Sequence, residues 1–165
     1  RMRELAHPVG SDVWWSLWKQ RLSEYGKPLI GKVRFHFSSL SQIDEEKQSF
    51  YAKFFLTVDV VAGCLMDKVG PDVDWWNPKF IFSNSVSGMK MKTSVKKNRQ
   101  ESELTFYYQV VGVFEEAYDL RFFPLDRQEL EVALTKNWDS EFLILEPALD
   151  ENGISLSQVD TENNI

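Results

Sequence analysis

From about residue 30 onward the apolar residues of this chain recur at every second position, and no other feature limits its fold as much. In "KVRFHFS" (32–38), Val33, Phe35 and Phe37 fall on one side while Arg34 and His36 fall on the other. A period of two belongs to an extended strand, whose successive side chains point to opposite faces, so this segment buries one face and wets the other. The stretch from Phe50 to Val61 repeats the behaviour, and the charged "DEEK" at 44–47 between the two reads as a hairpin connection. Similar runs predict strands at 79–83, 89–96, 103–114, 128–135 and 142–147, separated by turn-rich pieces such as "KVGPDVD" and "LDENG". Seven or eight short strands punctuated in this way predict an all-β fold, an antiparallel β-sandwich.

Only the start of the chain departs from that period. "SDVWWSLWKQRLSE" (11–24) offers Ser11 or Asp12 as an N-cap and sets Trp14, Leu17, Trp18, Arg21 and Leu22 on one helical face; Gly26 and Pro28 then break the pattern. The expected organisation is an N-terminal segment with a short amphipathic helix (1–28), a sandwich domain (29–150), and a polar tail or the start of a truncated loop (151–165). A chain of 165 residues suits one domain with one core, and 12 Phe, 5 Tyr and 6 Trp supply much buried area from few positions. "KMKTSVKKNRQESE" carries five positive charges from Lys90 to Arg99 and reads as a long hairpin with a solvated, basic tip.

Composition narrows the function. A net charge of −6 gives no electrostatic footprint for nucleic acid. The longest apolar stretch, "FFLTVDVVAGCLM" (54–66), is 13 residues long with Asp59 inside it, so no membrane span is expected within the chain. Cys64 has no cysteine to pair with, and His7 and His36 are the only histidines, so neither a disulfide nor a metal site is expected, and no cofactor. There is no phosphate-cradling glycine loop, no paired-histidine helix motif and no nucleophile beside a base. The chain reads as a binding or interaction protein, not an enzyme. Trp75, Trp76, Phe80, Phe82, Phe106 to Tyr108, and Trp138 are candidates for an aromatic cage, although alternation assigns most aromatics to the core.

Three motifs carry a resemblance to a known family. "DLRFFPLDRQ" (119–128) closely resembles the signature loop of the pentameric ligand-gated ion channels, the Cys-loop receptors and their cysteine-free bacterial relatives, with Asp119, Phe123, Pro124, Asp126 and Gln128 in register. "WNPKFIFSN" (76–84) is similar to the stretch leading into the family's first ligand-binding loop, and "LSQIDEEKQSF" (40–50) to its turn between the first two strands. An aromatic before proline favours a tight bend, with Asp126 and Gln128 placed to bond the freed backbone groups.

The resemblance implies a ligand-binding-domain-like sandwich that acts through ligand binding and subunit association, ending before the family's last hairpin and pore helices. It implies a homo- or hetero-oligomer, a pentamer for a true channel domain, at an extracellular or periplasmic membrane face. Asp44, Glu45, Asp119, Phe123, Pro124, Asp126 and Gln128 would form the surface that couples binding to the pore. Trp76, Ser83, Asn84, Asn137 and Trp138 stand at or beside the ligand-contact positions, with Ser83 in place of a binding tyrosine and Trp138 one residue out of step. The family's two loop cysteines correspond to Glu116 and Leu130, and its second-strand W-x-D to Val60, Val61 and Ala62. A rival reading keeps the fold without the channel: a stand-alone scaffold subunit docking other protein subunits in an intracellular or organellar complex.

Overall fold

The computed structural model describes residues 20, 26, 28–61, 80–86, 88–98, 102–117, 130–136 and 143–159. The helix expected over 11–24 lies outside these residues apart from Gln20, which is helical. Eight strands follow: β1 (Leu29–Asp44), β2 (Ser49–Val61), β3 (Phe80–Phe82), β4 (Lys90–Asn98), β5 (Glu103–Glu115), β6 (Leu134–Lys136), β7 (Leu143–Pro147) and β8 (Gln158–Val159). Among the described residues no helix is long and apolar enough to cross a membrane.

The alternation is obeyed closely. On β2 the even positions Phe50, Phe54, Leu56, Val58 and Val60 are fully buried, and on β5 the even positions Leu104, Phe106, Val110 and Phe114 answer them. The two strands pair antiparallel without a slip from Ser49↔Glu115 to Val61↔Glu103, so both even faces point into one core. β1 needs a correction to stay in phase. An extra residue, Ser38, lies between Phe37↔Phe54 and Ser39↔Lys53, and its hydroxyl donates to the Lys53 carbonyl at 3.1 Å. That bulge lets Phe37 and Leu40, three apart, both pack on the core.

The large sheet runs β4-β5-β2-β1-β7, with β8 also pairing β1; β3 and β6 form a second, two-stranded layer. Phe80 and Phe82 of β3 close the core from that side. The Phe82 ring meets Phe54 edge-on at 5.4 Å and Phe80 meets Tyr108 at 5.3 Å. The fold is therefore an all-β sandwich, as the alternation predicts, with one difference in pairing. β7 and β8 run parallel to β1, through Leu29↔Leu143 and His36↔Gln158 among others. Parallel neighbours require a crossover, and the chain provides one by leaving β6 in the small layer and rejoining the large sheet beside β1.

The long hairpin expected of "KMKTSVKKNRQESE" is present as the antiparallel pair β4–β5, with the lysines along β4, an edge strand. Charged side chains on an edge discourage pairing with foreign strands. Between β7 and β8, Asp150 Oδ1 accepts from the backbone N–H groups of Asn152 and Ile154 at 2.9 and 2.8 Å. Of the cage candidates, Phe80, Phe82, Phe106 and Tyr108 are core residues, and Tyr107 is exposed on the other face of β5. Trp75, Trp76 and Trp138 lie outside the described residues.

Candidate functional site

One end of the sandwich gathers the described residues of the motifs. The β1–β2 turn begins at Asp44, whose Oδ1 accepts from the Lys47 backbone N–H at 2.9 Å while Oδ2 faces Lys47 Nζ at 3.0 Å. Lys47, first through its backbone N–H and then through its side chain, holds the Asp44 carboxyl below the ordinary carboxylate range. A depressed folded pKa supports the fold above the unfolded value and loses that support as pH falls through the folded one. Asp44 is only half-buried and both of its partners are on Lys47, so the effect belongs to the turn alone. An NMR titration of the Asp44 carboxyl is expected to show a midpoint below the usual value of about 3.9, and Lys47→Ala to move it upward. An unchanged midpoint in that variant would rule out the Lys47 side chain and leave the backbone N–H, which alanine retains, as the cause.

The base of the proline-containing loop is fastened to this turn. Glu116 N–H donates to the Gln48 carbonyl at 2.9 Å, and Glu116 Oε2 accepts from the Glu131 backbone N–H at 3.0 Å. Glu116 and Glu131, which bracket the proline-containing motif in the chain, therefore lie within hydrogen-bonding reach of each other beside the β1–β2 turn. Gln48 reaches this position with φ of 50°, in the left-handed region that closes the turn.

Asn84, just after β3, is the third fastener. Its Nδ2 donates to the carbonyls of Glu115 at 3.0 Å and Glu131 at 2.7 Å, and its Oδ1 accepts from Ala133 N–H at 2.9 Å. Both amide hydrogens and the oxygen are thus engaged by main chain from β5 and from the segment leading into β6. Ser83 N–H donates to the Ala133 carbonyl at 2.9 Å, with its hydroxyl 3.4 Å from the same oxygen. Ser83 thus ties the end of β3 to the segment before β6 within the small layer, and Asn84 joins that layer to β5 of the large sheet.

Two clefts open here. One of about 530 Å³ is lined by Lys47, Gln48, Asn84, Glu115, Glu116 and Glu131, among others. The other, about 410 Å³, is lined by Phe35, Phe37, Glu116, Leu130, Glu131 and Val132. Three glutamates against Lys47 make the first cleft acidic, suited to a basic group, and no cluster among the described residues has the make-up to hold a metal ion. Glu45 is exposed in the turn. Trp76, Asp119, Phe123, Pro124, Asp126, Gln128, Asn137 and Trp138 lie outside the described residues.

A second region is legible in the sequence only in part: Tyr107 stands among the cage candidates and Phe55 does not. Phe55 and Tyr107 stand exposed on the outer face of the large sheet, with the His36 ring 6.3 Å from that of Phe55. A signal was present, since consecutive aromatics on a strand, Phe54-Phe55 and Phe106-Tyr107-Tyr108, must place at least one ring on the wet face. No family model matches the sequence, and no curated protein matches it significantly.

Proposed function

We propose that this chain is the ligand-binding-domain-like sandwich of a pentameric ligand-gated channel relative, acting through ligand binding and association of subunits. The observation that carries the reading is the fastening of the loop base to the β1–β2 turn. In the family that "DLRFFPLDRQ" and "LSQIDEEKQSF" resemble, the corresponding loop and turn share the membrane-facing end and transmit binding to the pore. Here Glu116, which begins the loop, bonds to Gln48 of the turn and to Glu131 at the loop's return. Glu116 and Leu130, the positions matching the family's loop cysteines, also line one cleft. A hydrogen bond from Glu131, the residue after Leu130, to Glu116 spans the base that a disulfide closes in the animal receptors.

The test restores the staple. The double variant Glu116→Cys, Leu130→Cys is expected to oxidise to an intrachain disulfide and to gain roughly 3 kcal/mol, the order for closing a loop of this size. Failure to oxidise in the folded protein would remove the loop assignment. Native mass spectrometry of the unaltered chain then addresses association, with five copies expected.

The scaffold reading is favoured by one observation. At the described positions of the ligand contacts, the Asn84 amide and the Ser83 hydroxyl already have main-chain partners. A monomer that forms a one-to-one complex with a different protein, with no copies of itself, would establish that reading.

A further inference from the structure

We propose that the outer face of the six-stranded sheet, centred on Phe55 and Tyr107, docks against an acidic surface of a second copy of this chain. The inference rests on the subunit-association reading above and names the surface that performs it. Phe55 pairs across the sheet with Gln109 and His36, and Tyr107 pairs with Thr57, so the two aromatics are diagonal neighbours on β2 and β5. Phe55 is 43% exposed and Tyr107 41%, while their chain neighbours Phe54, Phe106 and Tyr108 are buried. These outward rings add nothing to the core. Aromatics gathered at the middle of a face, with the exposed Val61, Val113 and Ile144 further out on it, are what the centre of a protein interface contains.

Charge selects the occupant. On the same face the carboxylates of Asp59 and Glu146 are held by Arg34 at 2.7 Å and Lys32 at 2.6 Å. Lys53, two residues before Phe55, and Lys92, paired with Gln109, flank the aromatics and give the centre of the face a positive character. The chain as a whole carries −6, so its other surfaces bear the negative excess, with Glu45, Glu46 and Glu131 among the exposed carboxylates. A second copy therefore supplies a complementary surface. A two-fold pairing of this face with itself would set one basic surface against another. The contact is thus head-to-tail, each copy presenting the basic aromatic face once and receiving it on an acidic surface elsewhere, which is the geometry that closes rings.

The experiment is sedimentation velocity on the full chain over a dilution series, at about 50 mM and about 500 mM salt. It compares the unaltered protein with Phe55→Ser/Tyr107→Ser and with Lys53→Glu/Lys92→Glu. Both double variants are expected to associate at least about tenfold more weakly, the loss of one interface anchor, and high salt to weaken the unaltered protein. All four residues point outward, so thermal midpoints should stay close to that of the unaltered chain. Association that survives both double variants would overturn the assignment of this face, and association strengthened by salt would overturn the charge argument. An unaltered chain that stays monomeric at every concentration would instead overturn the subunit-association reading, taking this inference with it.

Discussion

Replacing Phe54 by alanine is expected to lower the stability of the sandwich by roughly 3–5 kcal/mol, the range for truncating a fully buried aromatic. Phe54 is completely inaccessible, and its ring lies 5.6 Å from Phe35, 5.0 Å from Phe37, 5.4 Å from Phe82 and 5.7 Å from Phe114. Those four rings come from β1, from β3 of the small layer and from β5, so one deletion loosens both layers at once. The cavity cannot collapse readily, because the rings around it are fixed by strands held in register on both sides of β2. Urea unfolding followed by fluorescence reads the effect as a lower midpoint at unchanged slope. Phe55→Ala, one residue along on the wet face, provides the contrast and should change stability by well under about 1 kcal/mol. Equal losses from the two variants would mean that the alternation of β2 has been assigned to the wrong faces.

The second large effect is expected at Asn84. Truncation to alanine removes two donors and one acceptor that join the end of β3 to β5 and to the strand leading into β6. Each such bond contributes about 1 kcal/mol net, and partners left without water cost more, so a loss of roughly 2–4 kcal/mol is expected. Asn84→Asp is the sharper probe. It keeps the shape and the acceptor for Ala133 N–H, but turns a carboxylate oxygen toward the Glu115 and Glu131 carbonyls. A charge facing acceptors raises the folded pKa of that carboxyl, so the deficit of the Asp variant should shrink as pH falls and the protonated acid regains one donor. A deficit that grew toward low pH would contradict the assigned orientation of the amide. Should Asn84→Ala leave stability intact, the residue would be available for a ligand and the scaffold reading would lose its support.

The expected and observed features divide along a physical line. "KVRFHFS" and the stretch from Phe50 to Val61 were legible because burial of one face imposes a period of two on neighbouring residues, a local signal. The same signal located β3, β4, β5 and β7 to within a few residues. Strand direction leaves no such trace. Leu143 to Pro147 alternates alike whether it runs with β1 or against it, and the choice of parallel pairing was made by the crossing from β6.

At the candidate site the motif residues Asp44, Glu45, Ser83 and Asn84 could be named from the chain, but their roles could not. Asn84 looks like a surface amide until Glu115, Glu131 and Ala133, distant in sequence, converge on it. Glu116 and Glu131 meet only because β5 ends where the segment before β6 begins its return to the small layer. What the sequence by itself determined is which residues alternate, hence the strands, their buried faces and the all-β class, because those follow from each residue's own preference for water. Which strands are neighbours, in which direction they run, and which polar groups meet at the end of the sandwich were decided by the tertiary structure alone. Those contacts are satisfied between segments whose proximity no local pattern encodes.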